Sequence, residues 1–115
     1  AVSVAGHATA LFSQAMTMMS HAGFTQDEAR DALLPLMRGA VDNLANGLPA
    51  EVITGPVSRG DTTTVAAHLT RLDATHQDAA AVYRMLGEEA LDLARATLSE
   101  DAVEAMAHAL SANSD

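Results

Sequence analysis

Apolar residues recur at spacings of three and four from Val4 to Leu110, and no segment alternates with a period of two. A helix brings such positions onto one face, whereas a strand sends successive side chains to opposite faces, so the fold class is all-α. With 49% hydrophobic but only 3% aromatic residues, the core is built from small aliphatic side chains and methionine. A chain of 115 residues is read as one helical domain over 1–115. That length excludes a complete two-domain dehydrogenase.

The first helix places Val4, Ala8, Leu11, Ala15, Met18 and Ala22 on one stripe, with Gly23 as a left-handed stop. Its other face carries Gly6, Thr9, Ser13, Thr17 and Ser20, and no formally charged residue precedes Asp27. A helix without charge on any side is one that something covers on most sides, so another subunit or an upstream domain is expected there. The helical period already runs at Ala1, which reads as a cut upstream of or within this helix.

Thr25 and Glu28 form a capping box that starts a second helix with the stripe Ala29, Leu33, Leu36, Met37, Ala40 and Leu44. Pro35 predicts a kink or break, and Gly47 a stop. Leu48 to Gly60 reads as irregular. Asp61 caps a third helix with the stripe Val65, Leu69 and Leu72. Thr75 and Asp78 suggest the cap of a fourth helix from His76 to Leu98, burying Ala79, Tyr83, Leu86, Ala90, Leu93 and Ala96. Ser99 opens the last helix, with Val103, Met106, Ala107 and Leu110 inward and fraying from Ser111 to Asp115. About five helices result.

Several function classes drop out on composition. The absence of cysteine excludes disulfides, thiolate zinc sites and a thiol nucleophile. All six cations are arginines, so lysine chemistry is excluded as well. A net charge of -9 opposes nucleic-acid binding. No basic residues precede the first apolar run, so it is not a secretory signal, and its polar residues break any membrane span; a cytoplasmic protein is expected. Neither His7 nor His68 has a ligand partner at metal spacing on its own helix, and His21, His76 and His108 lie near helix ends, so no metal site is expected.

The segment from Ile53 to Thr64 gathers what a small anion needs. Gly60 permits close backbone approach, the helix starting at Asp61 offers free N–H groups, and Thr54, Ser58, Thr62 and Thr63 offer hydroxyls. Arg59 adds a forked donor suited to a carboxylate or phosphate. Asp61 opposes this reading, because a capping carboxylate sits where the anion would; the alternative is a turn and a cap without a ligand. His68 lies one turn beyond Thr64 and either faces the same cleft or is a boundary histidine with a single hydrogen bond. Asn43 is read as a support for the loop, Tyr83 as a core residue with a catalytic phenol as the lesser alternative, and Met16, Met18, Met19 and Met37 as core or interface filling. Glu88, Glu89, Asp92, Glu100, Asp101 and Glu104 make a mostly solvated acidic face.

The runs Leu34-Pro-Leu-Met37, Asp42-Asn-Leu44 and Thr54-Gly-Pro-Val-Ser-Arg-Gly-Asp61, followed by Val65 and His68-Leu69, carry a resemblance over roughly Ala5 to Ala94. The chain resembles the C-terminal helical domain, formally of unknown function, that follows a Rossmann-like domain in a family of bacterial NADP-dependent oxidoreductases. Through wider kinship it is similar to the dimerisation domains of pyrroline-5-carboxylate reductase and 6-phosphogluconate dehydrogenase. The resemblance implies a 6-phosphogluconate dehydrogenase C-terminal-like helical bundle that forms a homodimer through helical faces and supplies one wall of the substrate cleft. NADP would be bound mainly by the upstream domain. Carried onto this chain, Thr54, Gly55, Ser58, Arg59, Gly60, Asp61, Thr62 and Thr63 would bind a small carboxylate-bearing substrate, with His68 as the candidate catalytic residue. Two departures stand out: the lysine used by the 3-hydroxyacid branch is missing, and so is an asparagine near Gly6. The chain alone would not catalyse, since it has no glycine-rich dinucleotide fingerprint. The competing reading is a purely structural helical dimerisation module without a ligand.

Overall fold

Every regular element that the computed structural model contains between residues 3 and 111, the residues it describes, is a helix. The order is α1 (Ser3–His21), α2 (Gln26–Asn46), α3 (Pro49–Val52), α4 (Pro56–Arg59), α5 (Thr62–Thr75), α6 (Gln77–Ala94) and α7 (Glu100–Ser111). The all-α expectation holds, with two more helices than expected. They lie in the stretch read as irregular. Each is a single turn opened by a proline at its first position, where the missing N–H has no partner to lose. Gly60, at a φ of 72°, closes α4 in the left-handed conformation. Four residues are too few to display a helical period, so hydropathy could not reveal them.

Local signals elsewhere act as read. Gly23, at a φ of 103°, ends α1 while the N–H of Phe24 reaches back to the carbonyl of Met19 at 3.1 Å. The Thr25/Glu28 box forms both bonds: the Thr25 N–H donates to Glu28 Oε1 at 2.8 Å, and the Glu28 N–H donates to Thr25 Oγ1 at 3.1 Å. The Ala102 N–H donates to the Ser99 hydroxyl at 3.1 Å and starts α7. α2 continues past Pro35 to Asn46, as expected, and without a break; Asp31 and Pro35 are both exposed, so water can satisfy the carbonyl that the proline leaves without a donor. One expectation needs correction. Thr75 does not cap α6, because its hydroxyl donates back to the Arg71 carbonyl at 2.7 Å, and His76, which holds the N-cap position, turns its Nδ1 to the Thr75 hydroxyl at 2.8 Å and makes no capping bond with its side chain. α6 also stops at Ala94 rather than Leu98. Ser111 still belongs to α7, and the fraying expected beyond it lies outside the described residues.

The chain divides into two units, Ala1–Ala45 and Asn46–Asp115. In the second, α4, α5, α6 and α7 pack around Val57, Val65, Leu69, Leu91, Met106 and Leu110, with Tyr83 and Val103 against the rim. The buried face of α6 is turned from the expected one: Ala79, Ala80, Gly87, Leu91 and Ala94 are inside, while Leu86 is 51% exposed. Gly87 explains the rotation. A Cβ there would lie 2.6 Å from Leu110 Cδ2, so the helix turns its bare backbone toward α7. The first unit is different in kind. α1 has no buried residue, and Ala29 is the one buried residue of α2. The expected stripe of α2 is largely in solvent, with Leu36 at 71% and Leu44 at 54% exposure. Among the described residues no helix is long and apolar enough to cross a membrane.

Candidate functional site

Asp61 is the hub of the loop identified from sequence. As N-cap of α5 it accepts from the Thr64 N–H at 3.2 Å through Oδ1 and from the Thr64 hydroxyl at 2.7 Å through Oδ2. Arg59 brings Nη2 to 3.8 Å of the same Oδ2. The Thr64 hydroxyl, then the Thr64 N–H, hold the Asp61 carboxyl below the usual carboxylate range; some loss of hydration opposes them, and the positive charge of Arg59 and the neighbouring His68 add to the effect. The carboxylate therefore lies over the start of α5, in the place an anion would take. Ser58 is engaged within its own turn, donating its hydroxyl to the Gly55 carbonyl at 2.9 Å. Gly55, at a φ of 103°, supplies the turn into α4, and Thr54 before it is exposed.

His68 projects from α5 toward α6, where its Nδ1 lies 3.0 Å from the Tyr83 hydroxyl. The two rings meet edge to face, with centroids 5.8 Å apart. Tyr83 is half-buried against the core, and that burial pushes its phenol up from its ordinary value. The next residue on α6 ties the two helices together. Arg84 donates to both carboxylate oxygens of Asp73 on α5, at 2.8 and 2.6 Å, in a two-pronged, largely buried pair. The bonds from Arg84 hold the Asp73 carboxyl low and the guanidinium up. This clamp fixes how α6 sits against α5, and with it the distance between Tyr83 and His68.

The residues singled out in the sequence thus fall on two sides of α5. Arg59, Asp61 and His68 share one side. Thr62 and Thr63 lie on the other, at the head of an open groove of about 870 Å³ whose walls include Leu69, Asp73, Ala105 and His108. His68 does not line that groove; with its hydrogen bond to Tyr83 it matches the alternative of a boundary histidine. Helix phase gives the reason: residues 62, 66, 69 and 73 follow one face of α5, and 61, 64 and 68 follow the opposite one. Sequence reasoning missed Thr64 and the Asp73–Arg84 clamp as parts of the site and gave the Tyr83 phenol only as the lesser alternative. Both cross-helix pairs straddle the turn at His76, a pattern that an antiparallel helix pair would have made readable. Asn43 lies exposed on α2. Among the described residues no group of three His, Cys, Asp or Glu side chains is placed to hold a metal.

A strand leading through a glycine loop into a helix, the unit that cradles a dinucleotide pyrophosphate, is also lacking among the described residues. Against known proteins, one family model matches residues 1–90, that of a domain of unknown function (DUF2520). The match takes in Arg59, Asp61, His68 and Tyr83. No curated protein and no solved structure matches the chain.

Proposed function

The chain belongs to the DUF2520 family, and on that footing we propose that it is the dimerisation and substrate-side domain of an NADP-dependent reductase acting on a small carboxylate-bearing substrate. NADP, whose chemistry is hydride transfer, would be held by a Rossmann-like domain outside this chain. A cytoplasmic setting goes with that reading. The observation that carries its dimerisation part is α1: nineteen residues without a formal charge and without one fully buried side chain. Exposed apolar helices of this kind are interaction surfaces. The partner is a second copy of the chain. In a molecule of net charge -9, two copies repel wherever acidic faces meet, and α1 is where they can approach without like charges opposed. A two-fold axis would set α1 against its twin.

Sedimentation of the chain at tens of micromolar, the range in which a micromolar dimer is populated, tests the dimer. A dimer that becomes monomeric on Leu11→Asp is expected. A wild-type monomer at that concentration would contradict the proposal.

The second reading, a structural module without a ligand, is favoured by the Asp61 carboxylate over the start of α5 and its ion pair with Arg59. The two readings part at Arg59. If the fork serves a substrate carboxylate, Arg59→Ala in the complete enzyme weakens substrate binding by about 1.5 to 3 kcal/mol, the range of a charge-assisted hydrogen bond, and leaves folding intact. Unchanged binding would favour the structural module.

A further inference from the structure

We infer that Tyr83 is a positioning residue: its hydroxyl donates to His68 Nδ1, fixing His68 as the Nε2–H tautomer and leaving that N–H as a donor for a carbonyl or carboxylate oxygen. The 3.0 Å separation makes the hydrogen bond, and the chemistry of the two groups sets its direction. A neutral imidazole has one nitrogen that donates and one that accepts, and the partner of one nitrogen decides which is which. The phenol O–H, titrating near 10, is a far stronger acid than a neutral imidazole N–H, so the bond favours O–H donating to nitrogen. Burial of Tyr83 also keeps the phenol protonated and able to donate. The Arg84–Asp73 clamp holds the pair in place, and His68 itself is exposed, so Nε2–H is open to a ligand. On the same side, Asp61 is the charged neighbour that feels His68.

Use of this donor on a substrate rests on the proposed reading of the domain as a cleft wall; the tautomer does not. Long-range ¹⁵N–¹H correlation spectra of the labelled chain, recorded above the imidazole titration range, read it directly, with the urea-unfolded chain as the reference mixture. His68 is expected as a single Nε2–H tautomer with Nδ1 shifted as an acceptor, alongside a resolved Tyr83 hydroxyl proton. Tyr83→Phe keeps the ring in place and should return His68 to the mixture seen in urea. An Nδ1–H tautomer, a wild-type His68 already matching the mixture, or a spectrum unmoved by Tyr83→Phe would overturn the inference. Should the variant fail to fold, the wild-type spectrum decides alone. A monomeric chain in sedimentation would sink the association reading and leave the tautomer standing, while a wrong tautomer would do the reverse.

Discussion

The two units of this chain are apolar to a similar degree and use that property in opposite ways. In 46–115 the apolar stripes of four helices close on one another, and Met106, Val65 and Leu110 lose essentially all contact with solvent. In 1–45 the stripes are as regular, yet Val4 stays 72% exposed and no residue of α1 is fully buried, Ala8, Ala15 and Met18 being half-buried. Periodicity states which face of a helix will be covered, and not by what. The second unit closes its stripes on one another; for the first, the proposed cover is a second copy of the chain.

The sharpest way to break this contrast is to change side-chain volume in each unit in turn. Met106→Ala should destabilise the chain by about 2 to 5 kcal/mol in urea unfolding, the range for emptying a core position. Gly87→Ala, by forcing a methyl group onto buried Leu110, should cost about 1 to 3 kcal/mol through overpacking, despite its better helix propensity. Val4→Ala, measured at a concentration low enough to populate monomer, should stay within about 0.5 kcal/mol of the parent. A Val4 effect as large as that of Met106 would erase the distinction between the units.

Asp61 sharpens the contrast from the side of pH. Its folded-state carboxyl titrates below its ordinary value of 3.8, so its cap contributes fully above that value and is lost as pH falls through the lower folded one. Asp73, held low by Arg84, behaves in the same sense, so acid weakens the α5 region of the second unit twice over. Asp61→Ala should lower the melting temperature by several degrees at pH 7. Asp61→Asn keeps a capping oxygen and should lower it less, while flattening the decline between pH 4 and pH 2, roughly the span over which such carboxylates titrate. A parent melting temperature that is level across that span would contradict the assignment of Asp61 and Asp73 as stabilising carboxylates.

What could be read from sequence was local chemistry. The Thr25/Glu28 box, the stop at Gly23 and the Asp61 cap each depend on groups within a few residues, and each forms as expected. What could not be read depended on other helices. The inner face of α6 centres on Gly87, which has no side chain for a hydropathy pattern to register and is selected by the approach of Leu110. The candidate site was half legible: Arg59, Asp61 and His68 stand together, but the place of Tyr83 on the buried stripe made its phenol the lesser reading. Its meeting with His68 needs the relative phase of α5 and α6, which the clamp between Asp73 and Arg84 sets.

Amide hydrogen exchange followed as a function of concentration tests most directly whether the first unit is completed by a second copy while the second unit is complete by itself. If it is, protection along α1 rises steeply between nanomolar and tens of micromolar chain, about the range bracketing a micromolar dissociation constant. Protection of α5 and α7 around Val65, Leu69 and Met106 stays constant over the same range. An α1 that exchanges rapidly at every concentration, or protection that is high and unchanged at the lowest one, would contradict the account.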